Sequence, residues 1–176
     1  MKMLIVHGSA RKDGNSSTLA NEFEIEAAQQ YSVETIYLHE KKINHCTGCK
    51  QCRDLGICVF NDDMKLLINQ FKEADAVCFA SPVYWWGISS MLKTFLDRLY
   101  SLEIEDFKGK KFFLIVTGED SLEGIQYQLL KEQFNAICEY TEMQFAGYLP
   151  VCADDDNPAK DNAKALSQAR KLIQEM

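Results

Sequence analysis

Four segments of the chain read as buried strands from their apolar content: Met3 to Val6, Ala76 to Ala80, Lys111 to Thr117 and Met143 to Leu149. The first three are near-continuous apolar runs, the pattern of a parallel sheet covered on both faces. A fifth, Val33 to Leu38, alternates apolar with polar and suits an edge. Between these runs the period changes to that of a helix. Met64, Leu67, Ile68 and Phe71 fall at i, i+3, i+4 and i+7, and Ile88, Met91, Leu92, Phe95, Leu96 and Leu99 extend the same pattern over three turns. Segments 16–29, 122–138 and 160–174 repeat it more weakly. Strands alternate with helices from end to end, which predicts a doubly wound α/β sheet. With 176 residues, no repeat and no Pro/Gly linker, residues 1–176 are expected to form a single domain.

Ligands of such sheets bind beyond the carboxyl ends of the strands, where the strand order reverses. Three loops therefore carry the candidate chemistry. After the first strand, "GSARKDGNSSTLA" feeds a helix, so free backbone N–H groups and the positive end of the helix dipole favour an anion. Ser9, Asn15, Ser16 and Thr18 add hydroxyl and amide groups, and Arg11 adds a charged fork. The loop is not a P-loop, because Asn15 stands where the lysine is required, and it is not the G-x-G-x-x-G of a dinucleotide fold. A terminal phosphate monoester suits it better; the alternative is that Asn15 or Ser16 merely caps the helix. After the third strand, Pro82 stiffens a turn that presents Val83, Tyr84, Trp85, Trp86 and Gly87. Three consecutive large aromatics cannot all enter one core, so at least one is expected against a flat ligand or at an interface. After the fourth strand, Thr117 and Gly118 are small where backbone comes close to something.

"GSARKDGNSSTLA", "CTGCKQCRDLGICVFNDDM" and "SPVYWWGISSMLKTFLDR", in that order along the chain, strongly resemble the flavodoxin-like NAD(P)H-dependent FMN reductases, in particular their iron-sulfur flavoprotein branch. The resemblance implies a flavodoxin-like, five-stranded parallel sheet of order 2-1-3-4-5 with helices on both faces. It implies FMN, with its phosphate on Ser9, Arg11, Asn15, Ser16 and Thr18. The ring and ribityl chain would lie along Pro82, Val83, Tyr84, Trp85, Trp86 and Gly87, bordered by Thr117 and Gly118. It further implies NAD(P)H as electron donor, a small-molecule acceptor such as a quinone, a nitro compound or another flavin, and a homodimer or tetramer. No catalytic side chain is nominated, because flavin carries hydride chemistry without a protein acid, base or nucleophile. An electron carrier acting between protein partners is the alternative function, and a metal-binding module without flavin is a third.

The loop at 45–62 is an insertion into this pattern and holds four of the seven cysteines: Cys46, Cys49, Cys52 and Cys58. The C-x2-C-x2-C-x5-C spacing is similar to the four-thiolate arrangement of the iron-sulfur flavoproteins, which carry a [4Fe-4S] cluster, and one tight loop can aim several thiolates at a cubane. A loop of unmetallated thiols and a four-thiolate zinc site are the alternatives. Cys78, Cys138 and Cys152 are scattered, and Cys78 suits a small core position.

Charge and composition narrow the setting. A net charge of −7 with no basic stripe argues against nucleic acid, and "DDDN" at 154–157 reads as a solvated loop. No apolar run approaches the ~20 residues of a membrane span, and the N-terminus lacks the pattern of a signal peptide. A cytoplasmic setting is therefore expected, where clustered cysteines are ligands or redox groups more often than disulfides.

Overall fold

A computed structural model describes residues 1–174. The elements run β1 (Lys2–His7), α1 (Asn15–Ala27), β2 (Ser32–Tyr37), α2 (Gln51–Leu55), α3 (Met64–Glu73), β3 (Ala76–Tyr84), β4 (Gly87–Ile88), α4 (Ser90–Arg98), β5 (Lys111–Gly118), α5 (Ile125–Tyr140), β6 (Gln144–Cys152) and α6 (Ala163–Lys171). The sheet order is β2-β1-β3-β5-β6, all parallel, with β4 turned back antiparallel on β3. Without the two-residue β4, this is the flavodoxin-like order 2-1-3-4-5. The alternating run at residues 33–38 does lie at an edge, as β2.

Side-chain alternation along the central strands divides the core in two. Leu4, Val6, Val77, Phe79, Leu114 and Val116 face α3, α4 and α5. Met3, Ile5, Cys78, Phe113 and Ile115 face α1 and α6. Both faces are covered, so the central stretches 3–6, 76–80 and 112–116 of β1, β3 and β5 carry only apolar side chains.

Two differences from the sequence reading matter for the site. First, β3 does not stop at Ala80. Pro82 lies within it, in register with Thr117 of β5, and the turn falls later, at Trp85 and Trp86. A proline is tolerated there because it sits near the strand's end, where few ladder bonds remain to be lost. Second, the helix cap of α1 is Gly14 rather than Asn15 or Ser16, and no side chain caps it.

The cysteine segment joins β2 to α3 and is fixed at both ends by one buried arginine. Arg98, the last residue of α4, is 2% exposed. Its Nη1 donates to Asn44 O and to Asp62 Oδ2, both at 2.7 Å, and its Nη2 donates to Asp62 Oδ1 at 3.0 Å. Asp62 also accepts from the Asn44 backbone N–H at 2.9 Å. Burial alone would push the Asp62 carboxyl up, but the Arg98 guanidinium and the Asn44 amides outweigh it and hold it down to about 2.

Removing one partner strands a buried charge, so Arg98→Met is expected to cost about 3–5 kcal/mol of stability by urea unfolding. Asp62 is a carboxylate with a depressed pKa. Its contribution is complete above its ordinary range near 3.8 and is lost only as pH falls toward about 2. The difference in urea midpoint between wild type and Asp62→Asn should therefore stay constant from pH 7 to about 4 and shrink below that. A difference that already disappears by pH 5 would show that the pair does not hold the segment.

Candidate functional site

The carboxyl ends of β1, β3 and β5 open on a cavity of about 1020 Å³. All three loops singled out in the sequence contribute to it. Of the candidate residues, Ser9, Arg11, Asn15, Ser16, Pro82, Val83, Tyr84, Trp85, Trp86, Thr117 and Gly118 line the cavity, while Thr18 and Gly87 stand off its wall. Lys93, Gln126, Asp154 and Asp155 also line it and were not foreseen. The first two lie on helices whose pattern signals only a buried face, and the aspartates fall in a stretch whose composition signals only solvation.

One end of the cavity gathers the donors an anion would use. The loop from Ser9 to Gly14 folds on itself: Ser9 Oγ accepts from Arg11 N at 3.1 Å, and Ser17 Oγ donates to Arg11 O at 3.0 Å. The first intrahelical bond of α1 is Thr18 N to Gly14 O at 2.9 Å. The N–H groups of Asn15, Ser16 and Ser17 precede it, with no side-chain cap and the positive end of the helix dipole behind them. Arg11 is exposed and ion-paired with Asp155 at 3.4 Å. Asn15 Oδ1 accepts from Ala159 N at 2.9 Å, which ties the acidic loop to the start of α1.

The opposite end is main chain and aromatic. β1 and β5 are separated by β3, so Gly118 lies two strand spacings, about 10 Å, across the sheet from the anion end. A Cβ at Gly118 would sit 3.1–3.2 Å from Gln126 Nε2, Tyr127 Oη and Val83 Cβ, so that part of the wall must be bare backbone. The Tyr127 hydroxyl fixes it, lying 3.0 Å from Gly118 O and 3.1 Å from Asp120 O. Burial pushes this phenol up to about 12, which keeps it a donor. Gln126 Nε2 is buried without a protein acceptor; the Tyr127 hydroxyl is close but outside hydrogen-bond geometry for it. Opposite, β3 and β4 form a hairpin whose turn is Trp85-Trp86, 92% and 52% exposed.

The cysteines form a different picture. Cys46 and Cys49 are exposed, Cys52 and Cys58 half-buried, and none is in a disulfide. Among the described residues no three His, Cys, Asp or Glu side chains are gathered closely enough to hold a metal ion. Cys58 lies against the Arg98 guanidinium. Cys78 and Cys138 are buried in the two halves of the core, and among the described residues no helix is long and apolar enough to cross a membrane.

The site's geometry meets an independent finding. A model of the NADPH-dependent FMN reductase family matches residues 1–136. The chain belongs to that family. An iron-sulfur flavoprotein of Archaeoglobus fulgidus is 42% identical over 100 residues, 56% of this chain and 46% of that protein, so the chain spans about half the length of that relative. A Bacillus subtilis protein provisionally named an NAD(P)H-dependent FMN-containing oxidoreductase is 30% identical over 98% of this chain and 97% of its own. Among solved structures, the Trp repressor binding protein of Bacillus subtilis superposes with a TM-score of 0.72 at 25% identity, covering 98% of this chain and 97% of that one.

One polar group beneath the anion loop belongs to no ligand site. His7, the last residue of β1, is fully buried, and neither ring nitrogen has a protein hydrogen-bond partner. Its ring stacks on Tyr37 at 4.3 Å. Burial lowers the imidazole from 6.5 to about 4, so the fold holds it neutral. The unfolded chain takes up this proton first. The contribution of a neutral His7 is therefore complete above pH 6.5 and is lost as pH falls toward about 4. His7→Phe keeps a stacking ring without a titrating group, and its urea midpoint should fall less than the wild type's between pH 7 and 4.5; equal falls would refute the assignment.

Proposed function

We propose that this chain is an FMN-dependent oxidoreductase that draws electrons from NAD(P)H and delivers them to a small acceptor. The observation that carries the reading is the shape of the cavity. An uncapped helix N-terminus with hydroxyls and an arginine lies at one end, and bare backbone with aromatic side chains lies about 10 Å away at the other. A ligand with a phosphate at one end and a flat ring at the other matches both, and membership of the FMN reductase family supports it.

In this reading Ser9, Arg11, Asn15, Ser16 and the first N–H groups of α1 hold the phosphate. Thr18 supports the loop from the next turn. Pro82, Val83, Tyr84, Trp85 and Trp86 flank the ring on one side, with Gly87 completing the hairpin, and Thr117 and Gly118 border it on the other. FMN, when bound, supplies the hydride and electron transfer itself. The chain's own work is to bind, to orient and to exclude water. Overall, NAD(P)H gives up a hydride, which is two electrons and one proton. A quinone acceptor gains two electrons and two protons, the second proton coming from solvent.

Arg11 must leave Asp155 to meet a phosphate, so both the arginine and the hydroxyls should contribute to affinity. Charge-assisted hydrogen bonds contribute roughly 1.5–3 kcal/mol each. Arg11→Ala combined with Ser16→Ala should weaken FMN binding tenfold or more in a fluorescence-quenching titration, with the unliganded fold intact by circular dichroism. An unchanged titration would place the phosphate elsewhere.

A finer reading concerns the cysteine segment. Cys46, Cys49, Cys52 and Cys58 supply four free thiols within thirteen residues on a loop fixed at both ends, a donor set that suits a [4Fe-4S] cluster. Gly48 and Lys50, both with positive φ, bend the chain just before α2, and Gly56, also with positive φ, ends that helix. Such a cluster would add one-electron capacity beside the flavin. Anaerobic reconstitution with iron and sulfide is expected to give about four irons per chain, and Cys52→Ser should lower iron and acid-labile sulfide together while FMN binding remains. Background iron in wild type, with all four thiols titrating freely, would leave a plain FMN reductase with a thiol-rich loop.

A further inference from the structure

The hairpin at the cavity's rim carries residues that its geometry disfavours. Tyr84 pairs with Gly87 across the turn, so Trp85 and Trp86 are its two central residues, and both have positive φ, 50° and 61°. A two-residue hairpin loop with both φ positive is a type I′ turn, which Asn-Gly fills readily and bulky side chains avoid. Trp85 gains little from the rest of the chain in return. It is 92% exposed, and its ring neighbour is Trp86, with centroids 6.2 Å apart and planes inclined at 42°. The base of the hairpin is rigid: Ser89 N donates to Ser81 Oγ at 2.9 Å and Ser89 Oγ donates to Gly8 O at 2.6 Å. Backbone strain persists where the surroundings over-determine it, and it gathers at ligand clamps.

We infer that Trp85 determines acceptor specificity, its indole forming the outer stacking surface for a flat aromatic acceptor of the quinone class at the mouth of the cavity. The inference rests on the oxidoreductase reading above and names the acceptor class for it. The cavity, at about 1020 Å³, is at the upper end of the range for a single ligand site, which leaves room for a second flat molecule beside a cofactor. An indole face rewards a neutral planar ring through stacking and burial, and offers a small hydrated acceptor nothing comparable.

The test compares Trp85→Asn with Trp85→Phe. Asparagine tolerates positive φ, whereas phenylalanine keeps both a ring and the strain. Trp85→Asn should raise the melting temperature of the unliganded chain by about 2–4 °C. It should also raise KM for a 1,4-naphthoquinone at least fivefold in protein saturated with FMN. Trp85→Phe should change neither. In a Trp86→Phe background, the same naphthoquinone should quench Trp85 emission saturably in FMN-loaded protein. An unchanged KM in Trp85→Asn overturns the inference while leaving the oxidoreductase reading in place. So does Trp85 emission that follows protein concentration instead of quinone, which would make the indole a contact between two copies. If Trp85→Asn does not fold, the quenching titration decides. Wild type that neither binds FMN nor oxidises NAD(P)H removes the oxidoreductase reading and this inference with it.

Discussion

The architecture of the cavity depends on one buried hydroxyl. Ser89 is 1% exposed and joins three elements at once. Its Oγ donates to Gly8 O in the first loop at 2.6 Å and accepts from Leu92 N at 3.2 Å, capping α4. Its N–H donates to Ser81 Oγ in β3 at 2.9 Å. The approach is so close that a Cβ on Gly8 would lie 2.9 Å from Leu92 Cβ and 3.0 Å from Ser89 Oγ, so glycine is required for packing rather than for its dihedral freedom. Gly8 N in turn donates to Ala80 O at 2.8 Å. The anion loop, the hairpin and the start of α4 therefore share one hydrogen-bonded junction. None can shift without leaving a buried polar group unpaired, at about 1–3 kcal/mol for each group.

The sheet was legible in the sequence because burial on both faces leaves the central strands no polar option. Met3 to Val6, Ala76 to Ala80 and Lys111 to Thr117 could be little else. The site was legible to the extent that loop chemistry is local. Ser9, Arg11 and Asn15 sit in a short stretch between a strand and a helix, and their convergence follows from the connection itself. The hairpin was not legible. Its turn type normally announces itself by Asn-Gly, and Trp-Trp gives the opposite signal, so Pro82 seemed the better place for the chain to reverse. Nor could the ends of the cysteine segment be read as fixed. Arg98 looks like an ordinary last-turn cation, and its pairing with Asp62 and Asn44 is a long-range contact that no periodicity encodes.

The acidic loop shows how a net charge of −7 coexists with an anion site. Asp154 and Asp155 line the cavity close to the uncapped end of α1, and Asp155 is the ion-pair partner of Arg11. Both side chains of that pair are well exposed, at 65% and 91%, so water screens the attraction and the pair itself contributes little to stability. Its consequence is positional. The guanidinium is kept at the cavity's edge, where a dianion held by the helix N–H groups would have only a single solvated carboxylate to displace. In the proposed reading, selectivity for phosphate would thus arise from the sum of donors and not from Arg11 alone.

Helix α4 gives the molecule its functional geometry. Its cap, Ser89, is tied to the first loop, its first residue Ser90 lines the cavity, Lys93 lies in the wall between that cavity and a second one of about 960 Å³, and its last residue, Arg98, fixes the cysteine segment. The second cavity is lined by Cys46 and Arg53 from that segment and by Leu96 and Tyr100 from the end of α4 and just beyond. Nine helical residues rise about 13 Å, and α4 is rigid over that length because Leu92, Phe95 and Leu99 are buried in the core. The flavin-sized cavity and the thiol-rich loop are thereby held at opposite ends of one short, packed helix. A loop attached only through its flanking strand and helix could swing; one clamped at residues 44 and 62 to the end of α4 keeps its distance from the cavity.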